Sequence, residues 1–372
     1  MFVEDFFQAV PPSLQENYQS RGRFSLDIGF EFPKLEEGLC VVVMGFQPDR
    51  NPDNFAFSAF RESLYELKKG TGFPKIFDVG NFVLGDNPSD TLFALNQVFG
   101  FFKNLPCKLW ILGASIDAVS AFYQSFERPL HLVDFNVKFA LEDHNESLVT
   151  SNYLSHFIAH PPYNLYRYTL LGYQTHYVAQ EELDLMENLN FEFCRLGLLK
   201  EEMPSMETYF RTSDFCLFHL NMLEASCFSS TYNLEPNGLN SNQVCQLTRY
   251  LGSSQKNKAF FALGYFPQKD LSGVDAKTLS QMFWYYLDGF KLQSASPTES
   301  TMENFTKLIV PQKGDQIEFL HDPIHEKWWI IGVNFNQKIE FEPCTYKDYL
   351  DIVEGNLPSR WWKLQKRLAG NQ

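Results

Sequence analysis

The chain has 372 residues, 44% of them hydrophobic, and a formal net charge of −14. That length and apolar content suit one large α/β domain or two ordinary ones. The acidic balance, with Lys and Arg spread in no stripe or run, argues against a nucleic-acid partner, which needs a basic surface.

No stretch reaches the roughly 18 apolar residues of a membrane span, so no membrane contact is expected. The start, Met1-Phe-Val-Glu-Asp-Phe-Phe7, lacks the basic and apolar regions of a signal peptide. Cys40, Cys107, Cys194, Cys216, Cys227, Cys245 and Cys344 are scattered singly, several in apolar runs. They read as reduced core residues of a cytoplasmic protein. Aromatic residues make up 16% of the chain, enough that some are expected near the surface, where they favour protein contacts.

Short apolar, β-branched or aromatic runs recur along the chain. They are Cys40–Phe46, Lys75–Val79, Lys108–Leu112, Leu130–Phe135, Tyr166–Tyr173, Phe191–Leu196, Phe215–Met222 and Ala259–Phe266. Continuous apolar strands separated by helical patterns, such as Phe93–Phe102 and Leu279–Phe290, predict a mainly parallel eight-stranded sheet covered on both faces. This is a three-layer α/β/α sandwich. Ligands in such folds bind beyond the carboxyl ends of the strands.

The character changes after Phe290. Ser294-Ala-Ser-Pro-Thr-Glu-Ser300 reads as a linker. Gln316–Leu320 and Lys327–Val333 alternate like a hairpin around the turn His321-Asp-Pro-Ile-His-Glu326, and Thr345–Glu354 and Ser359–Leu368 read as two short helices. Residues 1–290 are therefore expected as the α/β domain. Residues 291–372 are expected as an appendage packed on it, because about 80 residues make a thin core alone.

Seven segments in order carry a resemblance. They are Val43-Met-Gly-Phe-Gln-Pro-Asp-Arg50 with Phe60-Arg-Glu-Ser-Leu-Tyr65, Asp78-Val-Gly-Asn81 with Asp90-Thr91, and Trp110-Ile-Leu-Gly-Ala-Ser-Ile-Asp117. Leu132-Val-Asp-Phe-Asn-Val-Lys-Phe-Ala-Leu141, Cys216-Leu-Phe-His-Leu-Asn-Met-Leu-Glu224, Leu234-Glu-Pro-Asn-Gly-Leu239 and Phe260-Phe-Ala-Leu-Gly-Tyr-Phe-Pro267 follow. Their order and spacing resemble the ureohydrolases: arginase, agmatinase and formimidoylglutamase. The resemblance implies the arginase-like fold and, in active members, a pair of manganese ions.

At every position where the resemblance places a metal ligand, this chain departs from the pattern. Ile116 stands for the ligand histidine after the third strand. Asn136, Lys138 and Ala140 stand for the Asp-x-His-x-Asp loop, and His219 and Asn221 for two later aspartates. The position of the glutamate that contacts the substrate is Gly264. Two metals lower the pKa of a bridging water and stabilise the tetrahedral intermediate, and hard cations want carboxylates and imidazoles. Ile116 and Ala140 offer no donor, the two asparagines only neutral oxygens, and Lys138 repels a cation. No metal cofactor and no catalytic residue are therefore expected.

The primary expectation is a pseudoenzyme that binds or scaffolds, with a protein partner or a small anionic ligand and an open oligomeric state. The alternative is a metal-dependent hydrolase of linear amidines or guanidines with a rearranged site at Asp117, Asp134, His219 and Glu224. For Lys138 two readings stay open. It pairs with Asp117 or Asp134 and fills the old cavity, or with His219 it binds an anion beside those aspartates.

Other motifs carry less. His156 and His160 lie one helical turn apart, but no Glu follows the first and Pro161-Pro162 ends the helix, so the metalloprotease pattern is not met. Ser115 stands at a strand end with no evident base, and neither a phosphate loop nor a nucleophile elbow is present. Trp328, Trp329, Arg360, Trp361 and Trp362 form two aromatic clusters in the appendage. Such residues serve as interaction hot spots or glue a small module to a larger one. Both uses are expected, with one indole of each pair doing each job.

Overall fold

A computed structural model describes residues 2–47, 55–142, 148–312, 315–334 and 337–370. Pro48, Asp49 and Arg50 of the first resemblance segment lie outside the described residues. Eight parallel strands form the centre: β1 (Cys40–Gln47), β2 (Lys75–Val83), β3 (Cys107–Leu112), β4 (Leu130–Phe135), β5 (Leu165–Tyr173), β6 (Glu192–Arg195), β7 (Phe215–His219) and β8 (Ala259–Leu263). Their spatial order is β2-β1-β3-β8-β7-β4-β5-β6. The sheet is wider than the eight strands expected. Two short pieces, Phe7–Gln8 (antiparallel) and Ile28–Gly29 (parallel), also pair with β2 and bring it to ten. Two-residue strands carry no periodicity, so no pattern in the sequence reveals them.

The strands read as unbroken apolar runs because both faces are covered. All eight residues of β1 are buried. Val41 and Val43 belong to one apolar cluster, while Cys40, Val42 and Met44 belong to the other on the opposite face, as the two-residue period of a strand requires. Each such side chain contributes roughly 1.5–3 kcal/mol on burial.

The covering helices include α1 (Ser58–Tyr65), α2 (Pro88–Lys103), α3 (Ile116–Gln124), α4 (Tyr153–Ala159), α5 (Gln180–Asn188), α6 (Ser241–Gly252) and α7 (Val274–Gly289). Asn87 caps α2 by accepting from the Asp90 amide at 2.9 Å. Ser115 accepts from the Ala118 amide at 3.4 Å at the start of α3, so its place in the chain is that of an N-cap. Two of the resemblance segments meet here. Arg61 and Tyr65 of α1 hold Asp78 of β2 at 2.9 and 2.8 Å, and Arg61 also donates to Asn81 at 3.0 Å.

The last part of the chain holds its own antiparallel sheet. The hairpin expected between Gln316 and Val333 is there as β10 (Asp315–Asp322) and β11 (Lys327–Val333). It is flanked by β9 (Thr306–Gln312) and β12 (Ile339–Cys344), which the sequence reading left out. The helices α8 (Tyr346–Val353) and α9 (Ser359–Gly370) pack on it around Phe319, Ile330, Cys344, Ile352 and Leu364. At the turn, Asp322 Oδ1 accepts from the amides of Ile324 and His325, and His325 Nδ1 lies 2.8 Å from Asp322 Oδ2.

This module is fastened to the main sheet by polar contacts and by its own aromatics. Arg211 donates to the Trp328 carbonyl at 2.9 Å, Lys327 pairs with Glu207 at 3.5 Å, and Arg167 of β5 donates to Glu342 of β12 at 2.7 Å. Four residues expected to offer a partner surface are thereby turned inward. Trp328 and Trp329 are only 7% and 1% exposed, Arg360 donates to the Pro343 carbonyl at 2.9 Å and lies over Tyr209, and Trp361 is half-buried. Trp362 stays 51% exposed, its ring edge-on to Trp361. An indole buries a large area at small entropic cost, and both indoles of the first pair are used in this way.

Candidate functional site

The carboxyl ends of β4 and β7 bring together Asp134 and His219, and Tyr168 from within β5 and Tyr153, the first residue of α4, join them. Asp134 is fully buried. Its Oδ2 accepts from Tyr168 Oη at 2.8 Å and from Tyr153 Oη. Its Oδ1 has no hydrogen-bond partner among the described residues and lies 3.6 Å from His219 Nε2. Tyr153 Oη lies 3.2 Å from the same nitrogen, with the two rings nearly parallel.

Burial dominates the electrostatics. It pushes the Asp134 carboxyl up to about 7, although both tyrosine hydroxyls favour the carboxylate. It pushes His219 down to about 4, so the imidazole is neutral at physiological pH. The cluster is a small enclosed hydrogen-bond network, able to hold a proton between a carboxyl and an imidazole. Sequence reasoning named Asp134 and His219 but missed both tyrosines. Tyr168 reads as one more apolar strand residue and Tyr153 as a helix residue, and only the fold brings their hydroxyls to one carboxylate.

The loop after β4 is packed in place. Asn136 Oδ1 accepts from the Val137 amide at 2.8 Å, and the Val137 carbonyl accepts from the Gln174 amide at 2.8 Å. Phe139 stacks on Tyr173 at 6.2 Å, and the Ala140 carbonyl accepts from the Leu154 amide at 3.1 Å. Ile116, Phe139 and Ala140 all lie in one apolar cluster.

Lys138 does not face Asp117 or Asp134, contrary to both expectations. Its ammonium pairs with Glu142 four residues on in the loop, and its side chain is 41% exposed. A long cationic side chain keeps its head in water when it can, and here the loop geometry lets it. The pairing of Lys138 with His219 as an anion site in this cleft is therefore not formed.

The four residues of the rearranged metal site are also not assembled. Asp117 is exposed in the first turn of α3, and Glu224 pairs with Lys200 at 3.1 Å. No three His, Cys, Asp or Glu side chains among the described residues come together in a way that could hold a metal ion. Asn221 sits in a short 3-10 turn with its Oδ1 buried and without a donor among the described residues. Gly264 has φ +86°, a conformation that penalises any side chain.

An aromatic row fills the neighbouring strand ends. Phe57 (φ 64°) lays its ring against Gly45 and Gly113, so close that a Cβ on either glycine would come within 2.5 Å of it. Tyr265 follows at 5.8 Å and Phe228 at 5.9 Å from Tyr265. The sequence carries no signal for Phe57, since its partners lie far along the chain.

No protein-family model and no curated protein matches the chain in sequence. Solved structures do match in fold. Formiminoglutamase from Trypanosoma cruzi, solved with Mn2+, superposes with a TM-score of 0.60 at 12% identity, covering 71% of this chain and 97% of that one. Formimidoylglutamase from Bacillus subtilis gives 0.59 at 11% identity, covering 72% and 91%. A hypothetical agmatinase from Burkholderia thailandensis gives 0.56 at 16%, covering 73% and 91%. The chain thus has the arginase-like fold that the seven segments implied.

The residues at the cleft do not fit a pair of manganese ions. A binuclear site of hard cations needs several carboxylates and imidazoles aimed at one point. Here the cluster offers one carboxyl group, whose protonation burial favours, and one imidazole.

Proposed function

We propose that this chain is a pseudoenzyme on the ureohydrolase fold, working by binding or scaffolding without a metal centre. The observation that supports this most is the state of the Asp134 cluster. A ligand carboxylate must be ionised and open to the metal, whereas Asp134 is enclosed by Tyr153 and Tyr168, with its protonated form favoured by burial. The partner is a protein, and the exposed aromatic and aliphatic side chains of Trp362, Tyr346, Leu350 and Val353 on the appendage helices are the first surface to test. Seven unpaired cysteines suit a reducing cytoplasm. Among the described residues, no helix is long and apolar enough to cross a membrane.

The test is the metal content of the purified full chain, before and after incubation with manganese, together with assays for urea or formamide release from guanidino and formimino substrates. Sub-stoichiometric manganese with no release is expected. Stoichiometric metal or measurable release overturns the proposal. The hydrolase alternative is less well supported, because Asp117 and Glu224 do not join Asp134 and His219.

A further inference from the structure

The convergent cations of this molecule are at the opposite end of the sheet from the cleft. A cavity of about 210 Å³ opens between the amino ends of β4 and β5 and the appendage. Its polar lining is His131, Arg167, Thr212, Lys256, Glu342 and Arg367, with Glu340 at one side. Arg167 and Arg367 share Glu342 at 2.7 and 2.5 Å, and both also reach Glu192, at 2.9 and 3.5 Å. Lys256 Nζ donates to the Thr212 carbonyl at 2.7 Å and pairs with Asp214 at 3.1 Å. An ammonium has three donors, so one remains.

Charge is out of balance here. Arg128, Arg167, Lys256, Arg360, Lys363 and Arg367 face Asp214, Glu192, Glu342, Asp348 and Glu340, six cations to five carboxylates. The chain as a whole carries −14, so a cationic cluster in a partly enclosed place runs against its average. Arg167 Nε and Arg367 Nη1 are buried with no hydrogen-bond acceptor among the described residues. Burial pushes the Lys256 and Lys363 ammoniums down, and neighbouring arginines add to it. The surplus cations, Lys256 and Arg128, are half-exposed, so it is the two orphaned buried guanidinium donors that call for an acceptor in the cavity.

We infer that this cavity binds a small oxyanion with two or more negative charges, of the phosphate type, held by Lys256 and Arg167 of the main domain and Arg367 of the appendage. The volume lies below the roughly 300 Å³ at which drug-sized pockets begin, so the ligand is small. His131 is not a fourth cation. Its ring nitrogens lie 3.0 and 2.9 Å from the hydroxyls of Thr212 and Thr169, and burial holds it neutral. This site is independent of whether the Asp134 cleft is catalytic.

The full chain is titrated with inorganic phosphate by calorimetry and thermal unfolding, against sodium chloride at matched ionic strength. Saturable binding and a rising midpoint specific to phosphate are expected. Lys256 is half-exposed, so Lys256→Met folds, and it weakens binding about tenfold by removing a charged donor. Glu340→Gln removes a like charge and tightens binding. An equal response to chloride, or unchanged phosphate binding in both variants, overturns the inference.

Discussion

Asp134 Oδ1 and His219 Nε2 face each other at 3.6 Å inside the protein, with no hydrogen bond between them. Burial shifts the two groups in opposite directions, the acid up to about 7 and the base down to about 4. Their linkage to stability therefore has opposite signs. Asp134 contributes stability that is complete below its ordinary value of 3.8 and is lost as pH rises through about 7. His219 contributes stability that is present above its ordinary 6.5 and is lost as pH falls through about 4. Between about 4 and 6.5 the two slopes offset each other.

Replacing Asp134 by Asn removes the alkaline slope and leaves that of His219. The stability of Asp134→Asn relative to the parent chain is expected to rise as pH goes from 5 to 8, by about 3 kcal/mol in unfolding free energy, because the carboxyl ionises up to about 7. Urea unfolding at several pH values measures it. A difference independent of pH would show that the buried carboxyl does not titrate in this range.

Lys138→Met tests how much the cation of the loop after β4 matters to stability. The ammonium pairs with Glu142 on a half-exposed side chain, and such pairs contribute about 0.5 kcal/mol or less. Thermal unfolding is expected to move very little. A loss of several kcal/mol would mean that Lys138 neutralises a buried group after all.

Phe57→Ala empties the space over Gly45 and Gly113. The variant is expected to lose about 3–5 kcal/mol, the cost of removing a fully buried phenyl ring. Gly113→Ala acts on the same contact from the other side. Its methyl meets the Phe57 ring and its φ of +69° suits only glycine, so a loss of about 1–3 kcal/mol is expected. Denaturant unfolding of both variants provides the measurement.

Arg167 ties β5 to both Glu192 of β6 and Glu342 of the appendage. Removing one partner of a buried ion cluster strands the other charges, at about 3–5 kcal/mol. Arg167→Met is expected to loosen the appendage. Limited proteolysis should then cut near Ser294–Ser300 at a protease concentration the parent chain withstands. Unchanged resistance would assign the docking to the aromatic contacts of Trp328 and Trp329 instead.

The strand runs, the change of character after Phe290 and the lack of donor atoms on the side chains of Ile116 and Ala140 were all legible along the chain. Each depends on residue type and on local period, which neighbouring residues set. The arginase-like order of strands was legible too, through the spacing of seven segments. Side-chain direction was not. Lys138 turned out to Glu142 rather than in to Asp134, both indoles of Trp328 and Trp329 turned in, and Tyr153 and Tyr168 met on one carboxylate. The cations around Glu342 come from residues as far apart as Arg167 and Arg367. Such meetings depend on which elements pack against each other, a choice made by the whole core. The chain alone determined the fold and the residue types at the strand ends, and the packed molecule decided which of their side chains meet.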